Sequence, residues 1–521
     1  MSDKETDPQP NIFGYEGSFG FAPAFWGWVL LTGIGTGLAG GGLMKLLRAA
    51  AHLAWSYDSG DFLTAVSKTS AEHRVAVLLI AGFIVAASRR VFRRMTGGHA
   101  GEISSAIWFR SGDMPFFRTI CSGIISIICV ALGAAVGREA APKQIGGALA
   151  SSFAKFGKLS SAQRRLLVAC GAGAGLAAVY NVPLGGPLFA LEVLLGELSL
   201  SLVIPALATS LIAVAVSWTL LPNEPTYSFP VYPLANIALA GAMVLGLVAG
   251  VASIFYVKAI AWADLRKPKG VWVILAPLLV FAVLGIAAIR YPQLLSNGKD
   301  VVQLAFVDQL GLPLLAVLIV PRALATIGCL VCGTPGGLLT PTLTIGALIG
   351  GLFGHVWNQI LPGEQAAAYA IFGAGAVLAA TTKGPLSSLV LMFELTDHVT
   401  NLVVPLMLAI AVATLLVRHF EIRSIYSARI HLGKAAAEEM KHEQVISSAA
   451  PYAEVLKRLL PLASKNLPLY VVDQDGKLIG EISAERAAEA EKFARPLEAA
   501  SADDLATPAI SRPTWLLKVG R

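Results

Sequence analysis

The chain has 521 residues, 55% of them hydrophobic and 14% charged, with a mean hydropathy of +0.67 and a formal net charge of +7. Residues 431–521 carry 12 Lys/Arg and 13 Asp/Glu, which leaves 28 Lys/Arg and 20 Asp/Glu for the first 430 residues. Soluble domains carry about 25% charged residues, so that stretch cannot build a water-facing surface. A soluble globule, a disordered chain and a disulfide scaffold are thereby excluded.

Residues 1–20 are polar and punctuated by Gly and Pro, with neither a basic start nor a small-residue cleavage site. They read as a disordered cytoplasmic N-terminus rather than a signal peptide. Apolar segments then follow near 25–47, 75–87, 119–136, 166–178, 202–221, 237–262, 271–289, 314–331, 338–357, 366–380 and 402–417. A simple span needs about 20 apolar residues, and several of these are shorter or broken by Gly and Pro. Irregular backbone at membrane depth is tolerated where protein buries it or where it lines a polar cavity. The 51 glycines and 28 prolines therefore predict a transport protein with broken helices.

The pI near 9.1 does not imply nucleic acid. Arg89, Arg90, Arg93 and Arg94 follow an apolar segment directly, which reads as a cytoplasmic, positive-inside anchor. No nucleic-acid partner is expected. The five cysteines (Cys121, Cys129, Cys170, Cys329 and Cys332) lie in or beside apolar segments and read as small buried hydrophobes. Cys329 and Cys332 have a CxxC spacing without a second pair, so no metal is expected.

GAGAGLAA at 171–178 and GAGAVLAA at 373–380 align without a gap at an offset of 202. The register continues from Pro183-Leu184 to Pro385-Leu386 and from Glu192 to Glu394. Upstream, PKQIG at 142–146 matches PTLTIG at 341–346. Duplicated halves with interrupted segments at matching places point to a binding site at the repeat interface. The GxGxxA pattern at 173–178, with Glu192 downstream, superficially fits a dinucleotide fingerprint, but it lacks a βαβ context and recurs in the second half. Close packing of helices by small residues explains it better.

Three glycine-led stretches precede expected helix starts: GGHAGE at 97–102, GREAAPKQIG at 137–146 and GGLLTP at 336–341. A helix N-terminus offers unpaired N–H groups and roughly half a positive charge, so it holds an anion without trapping it. Glu139 is an ionisable residue at membrane depth and is expected to be functional. Its carboxylate would take an anion's place at a helix end and act as a gate that the ion or a proton displaces. The alternative is a structural partner for Arg138.

GREAAPKQIG, GGLLTP, the doubled GAGAxLAA segments, NVPL at 181–184 and IYSA at 425–428 together resemble the CLC chloride channel and transporter family, over about residues 25–430. The resemblance implies an all-α polytopic membrane protein, a homodimer in which each subunit has its own pore and two inverted helical repeats with broken helices. The membrane domain is expected over 21–430, with repeats near 75–220 and 270–430. By that resemblance Glu139 is the external gating glutamate and Tyr426 offers its hydroxyl to the central anion. Leu338 and Leu339 turn backbone N–H groups towards that anion, with Leu339 in place of the usual Phe. Arg138 and Ala140 join the anion-binding set, and Gly337 is a pore-lining candidate. Gly98 stands where the family's first loop has an ion-contacting serine, so contact there must come from backbone, Tyr426 or water. His99 beside it is either a ligand or pH sensor, or a packed or pore-rim histidine. Val193 stands where proton-coupled members have an inner glutamate, and valine carries no proton. A passive chloride channel is therefore the first expectation and chloride/proton antiport the alternative, with water or Glu197 as substitute proton carriers. Glu192 and Glu394 are expected to hold helices together.

In the tail, residues 469–480 read as strand, Asp-Gly turn and strand, after an amphipathic helix over 452–462. This is similar to part of a CBS module, making 431–521 a small soluble cytoplasmic α/β, CBS-like unit. A structural or dimer-contacting role is expected there ahead of adenine-nucleotide sensing. No enzymatic activity and no cofactor are expected, with chloride as the transported ion. The chain is expected in the plasma (inner) membrane, surrounded by lipid, with both termini cytoplasmic.

Overall fold

Lipid offers no partner to a backbone N–H or C=O, so a chain this apolar must satisfy those groups within helices. The computed structural model describes residues 23–57, 60–94, 103–234, 237–363, 365–396 and 402–429, and in the tail 445–447, 449, 454–455, 457–458, 469–472, 478–482 and 507–508. Within the described residues seven helices are long and apolar enough to cross a membrane. The protein is an integral, multi-pass membrane protein.

Its first half comprises α1 (Pro23–Trp55), α2 (Phe62–Lys68), α3 (Ala71–Arg94), α4 (Ile103–Phe109), α5 (Phe116–Ala131), α6 (Ala140–Phe156), α7 (Ser161–Tyr180), α8 (Gly185–Leu188) and α9 (Leu200–Ser217). Helix α8 runs directly into a π-helical segment, Phe189–Leu195. The second half comprises α10 (Ile237–Leu265), α11 (Trp272–Arg290), α12 (Lys299–Phe306), α13 (Leu312–Val331), α14 (Leu339–Ile360), α15 (Ala366–Thr382), α16 (Pro385–Leu395) and α17 (Val403–His419). Apart from α2, the order repeats: α3 to α9 correspond in turn to α11 to α17, and α1 and α10 pack on α9 and α17 respectively. The halves are inverted repeats, and they meet where α3 packs on α11 and α8 on α16.

The hydropathy pattern passes over α4, α12, α16 and α8 with its π segment, because none is long enough to span alone. Two of these are completed across the repeat instead. Glu192, in the π segment, accepts from the N–H groups of Leu386 (3.1 Å) and Ser387 (2.6 Å) at the start of α16. Glu394, in α16, accepts from Leu184 (2.8 Å) and Gly185 (2.5 Å) at the start of α8. Each carboxylate meets the positive end of a helix in the other half. The apolar segment near 119–136 also ends early, since α5 stops at Ala131 and the chain turns at Gly133, whose φ is +104°.

The doubled glycine segments lie inside α7 and α15, and they are packing surfaces. A Cβ on Gly171 would collide with the carbonyl of Gly146 in α6, and one on Gly146 with the carbonyl of Gly171. Gly373 of α15 and Gly346 of α14 repeat the arrangement. Gly173 and Gly175 likewise face backbone carbonyls, of Gly186 and Pro142, so the GxGxxA pattern is a helix seam. Every residue of α15 is buried, which is why a helix of 17 residues can serve here.

A buried cation closes the loop before α12. Arg322 of α13 donates to the carbonyls of Leu294 (2.5 Å), Leu295 (3.2 Å) and Ser296 (2.6 Å). Arg322→Met would leave these acceptors without their donors, and we expect a loss of about 2–4 kcal/mol of stability. Thermal unfolding of the detergent-solubilised protein measures it; an unchanged midpoint would mean the loop does not depend on Arg322. Arg89, read as part of a basic anchor, donates to the carbonyls of Cys332 (2.8 Å) and Pro268 (3.3 Å), so it also ties elements together. All five cysteines are free; four are buried, but Cys121 is exposed on α5, contrary to the expectation.

In the tail, β1 (Val445–Ser447) pairs in parallel with β2 (Leu469–Val472). Strand β2 pairs antiparallel with β3 (Leu478–Ile482), and β3 with β4 (Thr507–Pro508). The two expected strands are thus present and paired, with Tyr470 opposite Glu481. The turn between them, and most of the helix expected over 452–462, lie outside the described residues.

Candidate functional site

The two glycine-led loops of the repeat, before α6 and before α14, meet in the buried interior. Gly137 and Gly337 exchange both N–H···O=C bonds at 2.7 Å, an isolated antiparallel bridge between the loop entering α6 and the loop entering α14. Only glycine fits on either side, because a Cβ at Gly137 or Gly337 would run into the Glu139 carboxylate. The bridge sets the starts of α6 and α14 side by side. Its second effect is to spend the Gly337 N–H on Gly137, so Gly337 lines the site without offering a donor.

Glu139 occupies the N-cap position of α6, yet its side chain makes no cap bond there. Its carboxylate crosses to the opposite half. Oε1 accepts from the Leu339 N–H at 2.7 Å, at the first residue of α14. Oε2 accepts from the Thr340 hydroxyl at 3.2 Å and from the Tyr180 hydroxyl at 3.3 Å, and these two hydroxyls lie 2.5 Å apart. Glu139 is 0% exposed. A helix N-terminus with two hydroxyl donors is a place for a negative charge, and here the protein's own carboxylate fills it.

Leu338, Leu339, Ala140 and Arg138, singled out from sequence, flank this point in the chain. Leu338 is the N-cap of α14, and both Leu338 and Leu339 are buried, so what they offer is backbone. Ala140 begins α6 and is buried. The Arg138 guanidinium lies 5.0 Å over the ring of Tyr180. Arg138 also lines a cavity of about 100 Å³ with Arg48, Lys299 and Asp300. Three cations against one carboxylate make that cavity electropositive and suited to collecting anions.

Tyr426 approaches from the segment after α17, which is pinned by the Ile425 N–H donating to the Thr381 carbonyl at 2.7 Å. Its ring stands edge-on to Phe189 with centroids 5.7 Å apart. Val193 is buried in the π segment next to Glu192, an apolar group at that position. Glu197, half-buried in the loop that follows, has its carboxyl raised above the usual range by burial, so it holds a proton more readily than an exposed glutamate. Gly98 and His99 lie outside the described residues. The helix after their loop, α4, is tied to the π segment by Trp108 Nε1 donating to the Leu194 carbonyl at 2.7 Å.

Three contributors were missed from sequence. Thr340 lies within a quoted motif, one residue beyond the two leucines. Tyr180 ends a helix and carries no local signal, for its partners are 41 and 160 residues away. Lys143 is a charged residue in an apolar helix, four residues after Glu139, and that spacing is legible.

The chain is similar to known proteins in sequence and in fold. The chain is 29% identical over 408 residues to a voltage-gated ClC-type chloride channel, ClcB, of Citrobacter koseri, covering 76% of this chain and 96% of that protein. It is 29% identical over 330 residues to an H(+)/Cl(-) exchange transporter, ClcA, of Salmonella arizonae, covering 60% of this chain and 68% of that one. In fold it is similar to the crystal structure of a slow cyanobacterial Cl-/H+ antiporter, with a TM-score of 0.70 at 22% identity, over 80% of this chain and 99% of that one. The voltage gated chloride channel family matches residues 77–418, most of the membrane part, and the chain belongs to that family.

Proposed function

We propose that the protein carries chloride or a similar monovalent anion across the membrane through a pore in each subunit of a homodimer, in exchange for protons, without enzymatic chemistry. One observation carries this reading: the fully buried Glu139 carboxylate sits on the N-terminus of α14, in the place an anion would take. An anion can enter only if the carboxylate leaves, and it leaves most readily when a proton neutralises it. Alternating occupation by proton and anion is the elementary step of exchange. The exchange transporter to which the chain is 29% identical supports the same direction.

The second reading is a passive channel, and the observation favouring it is Val193, buried where the family resemblance puts an inner proton glutamate. Under exchange, Glu197 with its raised carboxyl takes the inner proton. The reversal potential of the chloride current in planar bilayers, with symmetric chloride and a pH gradient, separates the two. Exchange predicts a reversal potential that moves with the gradient. A potential fixed at zero would overturn exchange and leave the channel.

The basic helix end near residues 89–94 supports a plasma-membrane topology with cytoplasmic termini. For the tail, we propose a dimer-contacting or structural CBS-like unit, which accords with the small sheet among its described residues.

A further inference from the structure

Tyr426 lies in a short turn after α17, and that turn is held together by its own hydrogen bonds. The Ser424 hydroxyl accepts from the Ser427 N–H at 3.1 Å. The Ser424 carbonyl accepts from the Ala428 N–H at 2.8 Å and from the Ser427 hydroxyl at 3.1 Å. These bonds make residues 424–428 one unit. The Ile425 N–H fixes that unit to α15 through the Thr381 carbonyl at 2.7 Å. The Tyr426 ring packs edge-on against Phe189, with centroids 5.7 Å apart, and the Lys143 ammonium lies 5.2 Å over it.

A rigid turn tied to its surroundings at one point can pivot about that point. A second tie comes from α10, which packs on the same turn. Arg429, three residues past Tyr426, sets its Nε 3.6 Å from Oδ1 of Asp264. Asp264 is buried and is the last residue but one of α10. A carboxylate there faces the negative end of the helix dipole, and a buried charge is costly unless it is paired. It persists beside two cations, Arg429 and, at 2.8 Å, Lys267. Lys267 is an exposed neighbour three residues on, so its contact is local, whereas Arg429 links Asp264 to the Tyr426 turn. A local rule broken in favour of a distant contact marks a position with a purpose.

We infer that Asp264 and Arg429 are positioning residues for Tyr426: their ion pair keeps the turn from pivoting and holds the tyrosine hydroxyl where the transported anion meets it. Neither residue touches the anion. The inference rests on the anion-transport reading above, with Tyr426 as an anion ligand. Without the pair the turn swings about Ile425 and the hydroxyl leaves its place, while the Glu139 carboxylate keeps its own partners. Chloride affinity therefore falls and the maximal rate changes little. The rival role, an ion pair that only stabilises the fold, lowers the unfolding temperature and leaves chloride affinity alone.

The test is chloride flux through the full-length protein in liposomes, read as the half-saturating chloride concentration and the maximal rate. The variants are R429Q, R429K and D264N, each also on a Y426F background. Loss of a hydrogen bond to a charged group predicts that Y426F raises half-saturation about tenfold or more. R429Q and D264N should raise it about three- to tenfold, with maximal flux within about twofold of wild type. R429K, which keeps the charge, should recover most of the loss. On the Y426F background the same changes should add no more than about twofold, because residues that act through one contact are not additive. K155M, which removes an exposed ion pair with Asp113, controls for losing an ion pair as such and should match wild type. If R429Q and D264N leave half-saturation at the wild-type value, or weaken chloride equally with and without the Tyr426 hydroxyl, the inference is overturned and anion transport stands. Y426F with wild-type half-saturation would overturn the role of Tyr426 as a ligand, and the inference with it. Wild-type protein that moves no chloride would overturn the transport reading itself. Should R429Q not yield a folded protein, D264N carries the same outcomes alone.

Discussion

Glu139→Gln is expected to abolish the pH dependence of anion flux and to fix the pathway in its acid-like state. In the wild type the carboxylate competes for the α14 N-terminus through the Leu339 N–H and the hydroxyls of Thr340 and Tyr180. Hydrogen bonds to a charged group are worth about 1.5–3 kcal/mol and neutral ones about 0.5–1.5. Neutralising the side chain therefore costs the closed gate on the order of 1–2 kcal/mol, and apparent chloride affinity should rise about tenfold. The sign follows from which form competes. Acid protonates the carboxylate and releases the site, so wild-type flux rises as pH falls, whereas the amide mimics the protonated form at every pH. Proton movement coupled to chloride should vanish with it. Chloride uptake by proteoliposomes between acidic and neutral pH reads both effects. A variant that keeps the wild-type pH response would show that the gate lies elsewhere.

The position of Glu139 was legible in outline because its strongest signal is chemical and local: a carboxylate in a glycine-led loop at membrane depth. Its partner was not. The sequence places Glu139 at the start of α6, and only the inverted packing of the halves reveals that the carboxylate serves α14, 200 residues away. The same geometry hid the roles of Leu184 and Ser387, whose N–H groups are met from the opposite half. The duplicated glycine segments were readable because packing by small residues writes the same pattern twice. The short helices α8 and α16 were not, because a hydropathy window tuned to a full span passes over an element whose ends are finished by a distant glutamate. Lys143 stood in plain view within a quoted motif. What the sequence lacked was any sign that two aromatic rings, Phe189 and Tyr426, converge on it from elements 46 and 283 residues further along.

Those paired glycines support the second large effect, on Gly171 and its counterpart Gly373. Water does not drive helices together inside a bilayer, so α6 and α7, or α14 and α15, hold by close backbone approach. At both crossings the glycines are reciprocal: each Cα faces the partner's carbonyl oxygen, with no room for a methyl. Gly171→Val or Gly373→Val must push the axes apart, and overpacking of this kind costs about 1–3 kcal/mol or more. Activity should suffer beyond the stability loss, because α6 begins at Glu139 and α14 carries the Leu339 N–H and Thr340 hydroxyl that donate to it. A shift on the order of 1 Å between reacting groups can cost about a hundredfold in rate, and the 2.7 Å contact between Glu139 and Leu339 is made across these two helices. Gly42, in α1, is the internal control, since nothing lies within 4 Å of the Cβ it would gain. Gly42→Ala should stay within about 0.5 kcal/mol of wild type, the range of an ordinary surface change. Thermal unfolding in detergent and chloride flux in liposomes, measured on all three variants, test the contrast. If Gly171→Val unfolds and transports like Gly42→Ala, the crossing is looser than its geometry requires, and the gate does not depend on it.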